Sequence, residues 1–566
     1  MAIKQQKANT SQATAPDVFL DLPEAPVLFE KPEQQKQQKI FEGFYFELRQ
    51  SLQRLKPSVT ETVAVEPPPA PIISPVIQQV ISQAQTVVPV DMSVLELGVQ
   101  RKVFIGLRTD GRAGTGKLSD PYDGSTVDKF DALMKDATRI PEFSEIHLLP
   151  GVFSTRGYEL SRVAVSWRLR KGCKLRGCGM ERTTLKLVDA TVANGMYSVV
   201  KGWDFDGSYW DYSEVSDLTI DCDYANQPAN IPTPSNGTQA VQLDSSRCRI
   251  SRVRAINFGG AATVGEVFLI SIGIPVTSSG AIYDLVIEDC IAERPVYIGN
   301  NGSTLISFLY GETADGLMAD TVNNVIRNCV CDGTYTDGFI PYGSSHAGYP
   351  AGRHYINGLT IGAGYDSLIE NNEVRNCGVG CYADTWSQKY LTIRGNRFHN
   401  IQVGPYAAMG NVSPFTGLKF KIQRLIVEGN EIALRPTVGL LAPFHPSGIK
   451  FMDALDSADY VFRELIIRGN KIQLVDANMN VANYQEFGIH VTNTEQALIE
   501  DNVIRLPNVD FGGPSPKASI LTKKVLRLNA RNNRRPEDNS IIVPWSGSEF
   551  VADEVYEQEK AYFLRR

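Results

Sequence analysis

One phrase returns along this chain and limits what it can become: an apolar triplet, two polar residues, a small turn-former, then another apolar residue. It reads LTIDCDY at Leu218, LVIEDCI at Leu285, NVIRNCV at Asn324, SLIENNEV at Ser367, LTIRGNRF at Leu391, LIVEGNEI at Leu425, LIIRGNKI at Leu465 and ALIEDNVI at Ala497. The turn positions Cys290, Cys329, Asn372, Asn396, Asn430, Asn470 and Asn502 follow one another at intervals of 39, 43, 24, 34, 40 and 32 residues. The phrase is constant while the spacing is not. Each copy predicts a short β-branched strand, its inward residues alternating with polar ones, that ends at a residue able to take the left-handed conformation. A single unit of this kind cannot bury its apolar face, so the copies must stack.

Stacked strand–turn–strand units without intervening helices predict an all-β, right-handed, single-stranded parallel β-helix. An Asn at each turn can hydrogen-bond the neighbouring coil and build a ladder up the solenoid; Cys290 and Cys329 would fill the same slot as small apolar residues. A leucine-rich repeat keeps a tighter period, and a propeller needs regular antiparallel blades. The unequal intervals fit loops thrown out from a constant core. A solenoid grows in one dimension, so 566 residues are compatible with one such body.

Other segments divide the chain. Residues 1–96 are rich in Pro and Gln (PEQQKQQK from Pro32, EPPPAPIISPVIQQV from Glu66) and cannot bury a core. Within them, residues 40–55 (IFEGFYFELRQSLQRL) predict one amphipathic helix, and this leader is expected to anchor the chain to a larger assembly. A capping helix is expected over about 126–138, with Ser125 and Asp128 as its capping box and Val127, Phe130, Leu133, Met134 and Ala137 as its apolar stripe. It would cover the open end of a solenoid that runs over 97–540. Residues 541–566 leave the repeat and read as a C-terminal cap or an oligomer contact.

Composition excludes some functions. The net charge is −7 without a basic stripe, which argues against a nucleic-acid partner. No run is apolar enough to span a membrane, and the first residues, MAIKQQKANTSQ, lack the apolar core of a secretory signal. Nine scattered Cys, an odd number, fit folding in a reducing compartment better than a disulfide framework. The one-residue and three-residue gaps inside Cys329/Cys331 and Cys377/Cys381 are poor zinc spacings. Gly111 to Lys117 nearly matches a phosphate loop, but Leu118 stands where a Ser or Thr should meet the metal. No cofactor is demanded, and calcium stays open.

From Val103 onward the chain resembles the pectate-lyase-like superfamily of right-handed β-helix proteins, which includes polysaccharide lyases, polygalacturonase-like hydrolases and phage tailspikes. The resemblance rests on the strand and helix from Val103 to Ala137, IHLLPGVF at Ile146, GCGMERTTLKL at Gly177 and the ladder, and covers about 103–533. It implies a polysaccharide or cell-surface glycan as partner. Its tailspike-like members imply a homotrimer on a phage or injection particle, attached to a particle or baseplate partner through residues 1–96 and made in the cytoplasm. The superfamily's enzymatic signatures are missing: there is no Asp-Asp dipeptide and no His-Gly, and the nearest approach to R-x-P-x-x-R, at Arg505, ends in Asp510. No catalytic residue transfers by motif.

Candidate chemistry therefore comes from the longer insertions. Asp332, Asp337, His346 and Arg353 lie in one of them beside Tyr342, and the next coil brings Tyr382, Asp384 and Trp386. Aligned on the ladder, Asp337 and Asp384 fall on adjacent coils, and two carboxylates flanking a glycosidic bond are the minimum for an inverting hydrolase. Aromatic faces stack on sugar rings, so Trp386, Tyr342, Tyr382, Trp203 and Trp210 are the candidate substrate contacts. Against this, Asp beside Gly is a turn signal before it is a catalyst. Three readings stay open: a glycan-cleaving enzyme, a glycan-binding module, and a structural spike.

Overall fold

The computed structural model describes residues 101–546, apart from the longer segments 203–211, 274–281, 309–320, 336–355, 410–421, 435–446, 475–486 and 506–517 and several shorter ones. The described chain is a right-handed parallel β-helix of three sheets, in which each coil contributes one strand per sheet. The first sheet carries the repeated phrase, and its register is unbroken from Ile282–Glu288 through Thr321–Arg327, Ser367–Glu370, Tyr390–Arg394, Ile422–Glu428 and Phe462–Arg468 to the last coil. The second sheet runs from Gly151–Thr155 to Val503–Arg505, and the third from Ala164–Arg168 to Trp545–Ser546. Trp545 pairs with Leu521, so a short strand from the segment beginning at Ile541 adds to the third sheet.

Inward columns fill the solenoid. Leu285, Ile287, Ile326, Ile369, Leu391, Ile393, Leu425, Val427, Leu465, Ile467 and Ile499 are all buried. One expected copy is out of register: Leu218 pairs with Val253 on the far side of the turn, and Val215, through Ile250, is the true equivalent of Ile287. LTIDCDY imitates the phrase because the chain after the turn alternates in the same way.

The ladder has a definite chemistry. Asn430 donates its N–H and its Nδ2–H to Oδ1 of Asn470, both at 3.0 Å, and Asn470 does the same to Asn502 at 2.9 Å. Each amide also donates back to the preceding coil, as Asn470 Nδ2 does to Val427 O at 2.9 Å. Six asparagines, from Asn372 to Asn533, form this buried column, and Cys329 enters it by donating its N–H to Asn372 Oδ1. The left-handed residue is not the Asn itself. It is the residue before it: Asp289, Asn328, Asn371, Gly395, Gly429, Gly469, Asp501 and Asn532 all have positive φ.

A second ladder is ionic. The outward residue immediately before each left-handed residue alternates in sign along the first sheet: Glu288, Arg327, Glu370, Arg394, Glu428, Arg468, Glu500, Arg531. Glu288 pairs with Arg327 at 2.6 Å, Glu370 with Arg394 at 2.7 Å, Glu428 with Arg468 and Glu500 with Arg531 at 2.6 Å.

The capping helix α1 spans Val127–Lys135, shorter than expected. Its N-cap is Thr126, whose side chain accepts from Lys129 N, not Ser125; Ser125 instead donates its N–H to Asp123. Phe130, Leu133 and Met134 are buried, Phe130 against Phe153 with centroids 5.5 Å apart, while Ala137 lies exposed beyond the helix. The loop that imitates a phosphate site is closed on itself: the N–H groups of Thr115 and Gly116 both donate to Asp120 O at 3.0 Å. None of the described helices is long and apolar enough to cross a membrane.

Candidate functional site

A column of glycines turns the chain into the third sheet. Gly358, Gly380, Gly404, Gly448 and Gly488 occupy equivalent places in successive coils. A Cβ on Gly448 would lie 2.5 Å from Gly488 O and 2.5 Å from Ile472 Cγ2, so only glycine lets the corner close. Two residues later these strands present one side chain on the column that runs Lys201, Gln242, Ser271, Ser307, Thr360, Tyr382, Tyr406, Lys450, His490 and Leu521. The alternate residues, among them Cys381, Ala383, Ala407 and Phe451, belong to the interior core, so this column faces outward.

Its middle is aromatic and then cationic. The rings of Tyr382 and Tyr406 stack with centroids 5.5 Å apart and an interplanar angle of 20°. Together with Val379 and Val403 they form an apolar cluster separate from the interior core. Lys450 Nζ lies 5.9 Å from the centre of the Tyr406 ring. Only 4% of Lys450 and 6% of Tyr406 is exposed, so both side chains are covered in the structure. Burial lowers the Lys450 pKa to about 8 and pushes the Tyr406 phenol up.

Of the residues singled out from the sequence, the structure brings Tyr382 into this column. Asp384 and Trp386 belong to the same strand, Val379–Gln388, at an irregularity: Ile361 faces Ala383 while Ala363 faces Ser387, so extra residues are accommodated between them. Bulges of this kind re-aim side chains and recur beside active sites. Asp337, His346, Arg353, Tyr342, Trp203 and Trp210 lie outside the described residues, as do residues 40–55 of the leader. Tyr212, at the end of the Trp203 cluster, is exposed, with the Arg247 guanidinium 4.9 Å from its ring centre.

Asp332 has a different place. It ends the strand Val330–Asp332 at the second corner, where its Oδ1 accepts from Thr334 N at 2.9 Å and from Asn376 Nδ2 at 3.0 Å, and its Oδ2 accepts from Arg375 at 2.8 Å. Burial opposes its ionisation, but the bonds from Thr334, Asn376 and Arg375 outweigh it and hold the carboxyl below its ordinary range. An ionised, fully committed carboxylate is a poor general acid; this geometry makes Asp332 part of the corner. Asn376 continues the corner by accepting from Asn400.

Tyr406, Lys450 and His490 were not among the sequence candidates. The signal for them was the glycine two places earlier, in GLT, GCY, GPY, GIK and GIH at Gly358, Gly380, Gly404, Gly448 and Gly488. Cys331, Cys377 and Cys381 are buried thiols whose pKa burial raises, and no cluster of three or more potential metal ligands occurs among the described residues. A shallow groove lined by Glu464, Ile466, Gln496, Leu498, Arg527 and Asn529 lies on the first sheet instead, and its Glu464 is paired with Arg424.

No protein-family model and no curated protein matches this sequence. Solved structures do. The chain is similar to the tailspike of Escherichia coli bacteriophage HK620 in complex with a pentasaccharide, at 11% identity and a TM-score of 0.48, covering 79% of this chain and 68% of that one. It is also similar to the Dettilon tailspike, at 14% identity and a TM-score of 0.43 over 75% and 66% of the two chains. The A-module of the Azotobacter vinelandii mannuronan C-5 epimerase AlgE6 matches at 15% identity and a TM-score of 0.37, over 76% and 97%. At these identities the likeness is one of fold.

Proposed function

We propose that this protein engages polysaccharide through the outward face of its third sheet, as a tailspike-like component of a phage or injection particle. The observation that carries the reading is the stacked pair Tyr382 and Tyr406 set beside Lys450 on one outward column. Aromatic faces take sugar rings by stacking, and flanking polar groups fix the orientation. Ser271, Ser307 and Thr360 occupy the same column positions in earlier coils, so the solenoid itself accepts small polar residues there.

Cleavage is the finer part of the proposal. Asp384 follows Tyr382 by two residues at the strand irregularity, and with Asp337 it is the acid and base pair we assign for hydrolysis. The test is a panel of neutral and acidic polysaccharides presented to the full chain, reading binding, new reducing ends and the ultraviolet absorbance of unsaturated products. Tyr406→Ala is expected to weaken binding by roughly 3- to 10-fold, the worth of one aromatic contact. Reducing ends that vanish in Asp337→Asn and Asp384→Asn support the hydrolase. Absorbance instead points to a lyase and to His346 and Arg353 as bases. Binding without products identifies a recognition protein, and binding to no member of the panel contradicts the proposal.

A further inference from the structure

The last coil ends on a basic edge, and the chain leaves that edge with an acidic segment. The strand Ala518–Arg531 runs through the third and first sheets, and on its far side Trp545 and Ser546 pair with Leu521 and Thr522. The pairing is parallel, so the chain sets off along the edge formed by Lys523–Arg531. Six cations, Lys523, Lys524, Arg527, Arg531, Arg534 and Arg535, lie in this stretch, with no Asp or Glu between Ala518 and Arg535. Arg531 is paired with Glu500 of the preceding coil, whereas Arg527 is exposed and lies in register with the neutral Gln496. The residues that come next carry the opposite charge. Residues 547–566 lie outside the described residues, and in them Glu549, Asp553, Glu554, Glu557 and Glu559 all precede the first cation, Lys560.

We propose that residues 547–563 form an amphipathic helix that lies along this edge and closes the C-terminal end of the solenoid. SGSE at Ser546 has the spacing of a capping box, and the segment after it is rich in good helix formers. At about 100° per residue Val551, Ala552, Val555, Tyr556, Tyr562 and Phe563 share one face, interrupted by Glu559, while Asp553 and Glu554 border that face on its two sides. As a further strand the same segment would fail, because the consecutive Asp553 and Glu554 would send one carboxylate into the core. The lengths also match. A helix rises about 1.5 Å per residue, which puts Glu554 roughly 12 Å beyond Ser546. An extended strand puts Arg527 roughly 16 Å beyond Thr522, a difference that a long side chain spans. The apolar face then covers the last strand, as Phe130 of α1 covers Phe153 at the other end, and the acids meet the cations. A helix there also shields a strand edge that would otherwise invite another chain.

The experiment uses the full chain carrying Arg527→Lys, which keeps the charge and supplies an amine, and couples amines to carboxylates with a carbodiimide before mapping the links by mass spectrometry. The expected result is an amide between position 527 and Asp553, Glu554 or Glu557, recovered at single-chain mass and at least 10-fold more frequent than links from those acids to Lys471 on the second sheet. Val555→Pro, which breaks the helix, should reduce that link at least 10-fold. Introduced alone, it should speed hydrogen exchange of the Lys523–Arg531 amides by a similar factor. No link at position 527, or links spread equally over position 527 and Lys471, overturns the proposal, as does a link or an exchange rate unmoved by Val555→Pro. A link found only at two-chain mass assigns the edge to the same segment of another copy and overturns it too.

Discussion

Lys450 makes a claim about stability as well as binding. Its pKa falls from 10.5 to about 8 on folding because burial disfavours the charged form. Between those values the unfolded chain holds the proton and the folded chain has released it, so stability rises as pH climbs from about 8 to 10.5. Below pH 8 the full penalty applies, up to about 3 kcal/mol at 1.36 kcal/mol per pH unit. Lys450→Met should therefore be more stable than the wild type at pH 7, with the advantage shrinking through that alkaline window; denaturant melts at pH 7 and pH 10 measure it. Equal stability at pH 7 would mean that the ammonium is solvated. The sequence made Tyr382 legible because it lies beside Asp384 in an aromatic insertion. Tyr406, Lys450 and His490 were hidden by the unequal coil lengths, which place them 24, 44 and 40 residues after their column predecessors. Asp332 reads as a catalyst by composition, and only its partners Thr334, Arg375 and Asn376 show it as a corner.

The elements were legible to the extent that their pattern is local. The ladder phrase located most strands of the first sheet, because β-branched alternation and the turn residue are both written in consecutive positions. It failed at Leu218, where two strands continue through a left-handed Asp217 and the alternation carries on past the corner. The ladder also predicts where substitutions hurt. Asn470→Leu leaves Val427 O and Asn430 N–H buried without their side-chain partner and takes one of two donors from Asn502 Oδ1, which should cost roughly 2–4 kcal/mol in denaturant titrations. Gly429, at φ +62° with open space around its α-carbon, should accept Asn at little cost, as the column does at Asn371 two positions away, whereas Gly429→Val should lose about 1–2 kcal/mol. Gly448→Ala is worse placed, since the added methyl meets backbone, and it should disturb the aim of Lys450 two residues on. If Gly448→Ala kept both the wild-type melt and glycan affinity, the corner would not set the column.

At the scale of the whole molecule, the outer face of the first sheet carries an apolar column as well as charge. Beside the ionic ladder runs a half-buried outward column, Val286, Val325, Leu368, Thr392, Ile426, Ile466 and Leu498. An apolar stripe of this length is costly to leave in water, and we propose that it packs against further copies of this chain in a homotrimer. Light scattering of the full chain should then give three times 62.4 kDa, and Ile466→Lys should reduce it towards a single copy. A sharp monomer for the wild type would exclude the trimer. This column was not legible as a surface, because an apolar residue in a parallel strand reads as core whichever side it faces. The central claim is nevertheless about the third sheet. The most direct test is a crystal structure of the protein with an oligosaccharide cut from a polymer that it binds. The account predicts a sugar ring packed on Tyr382 or Tyr406; sugar density on another face, with this column empty, would contradict it.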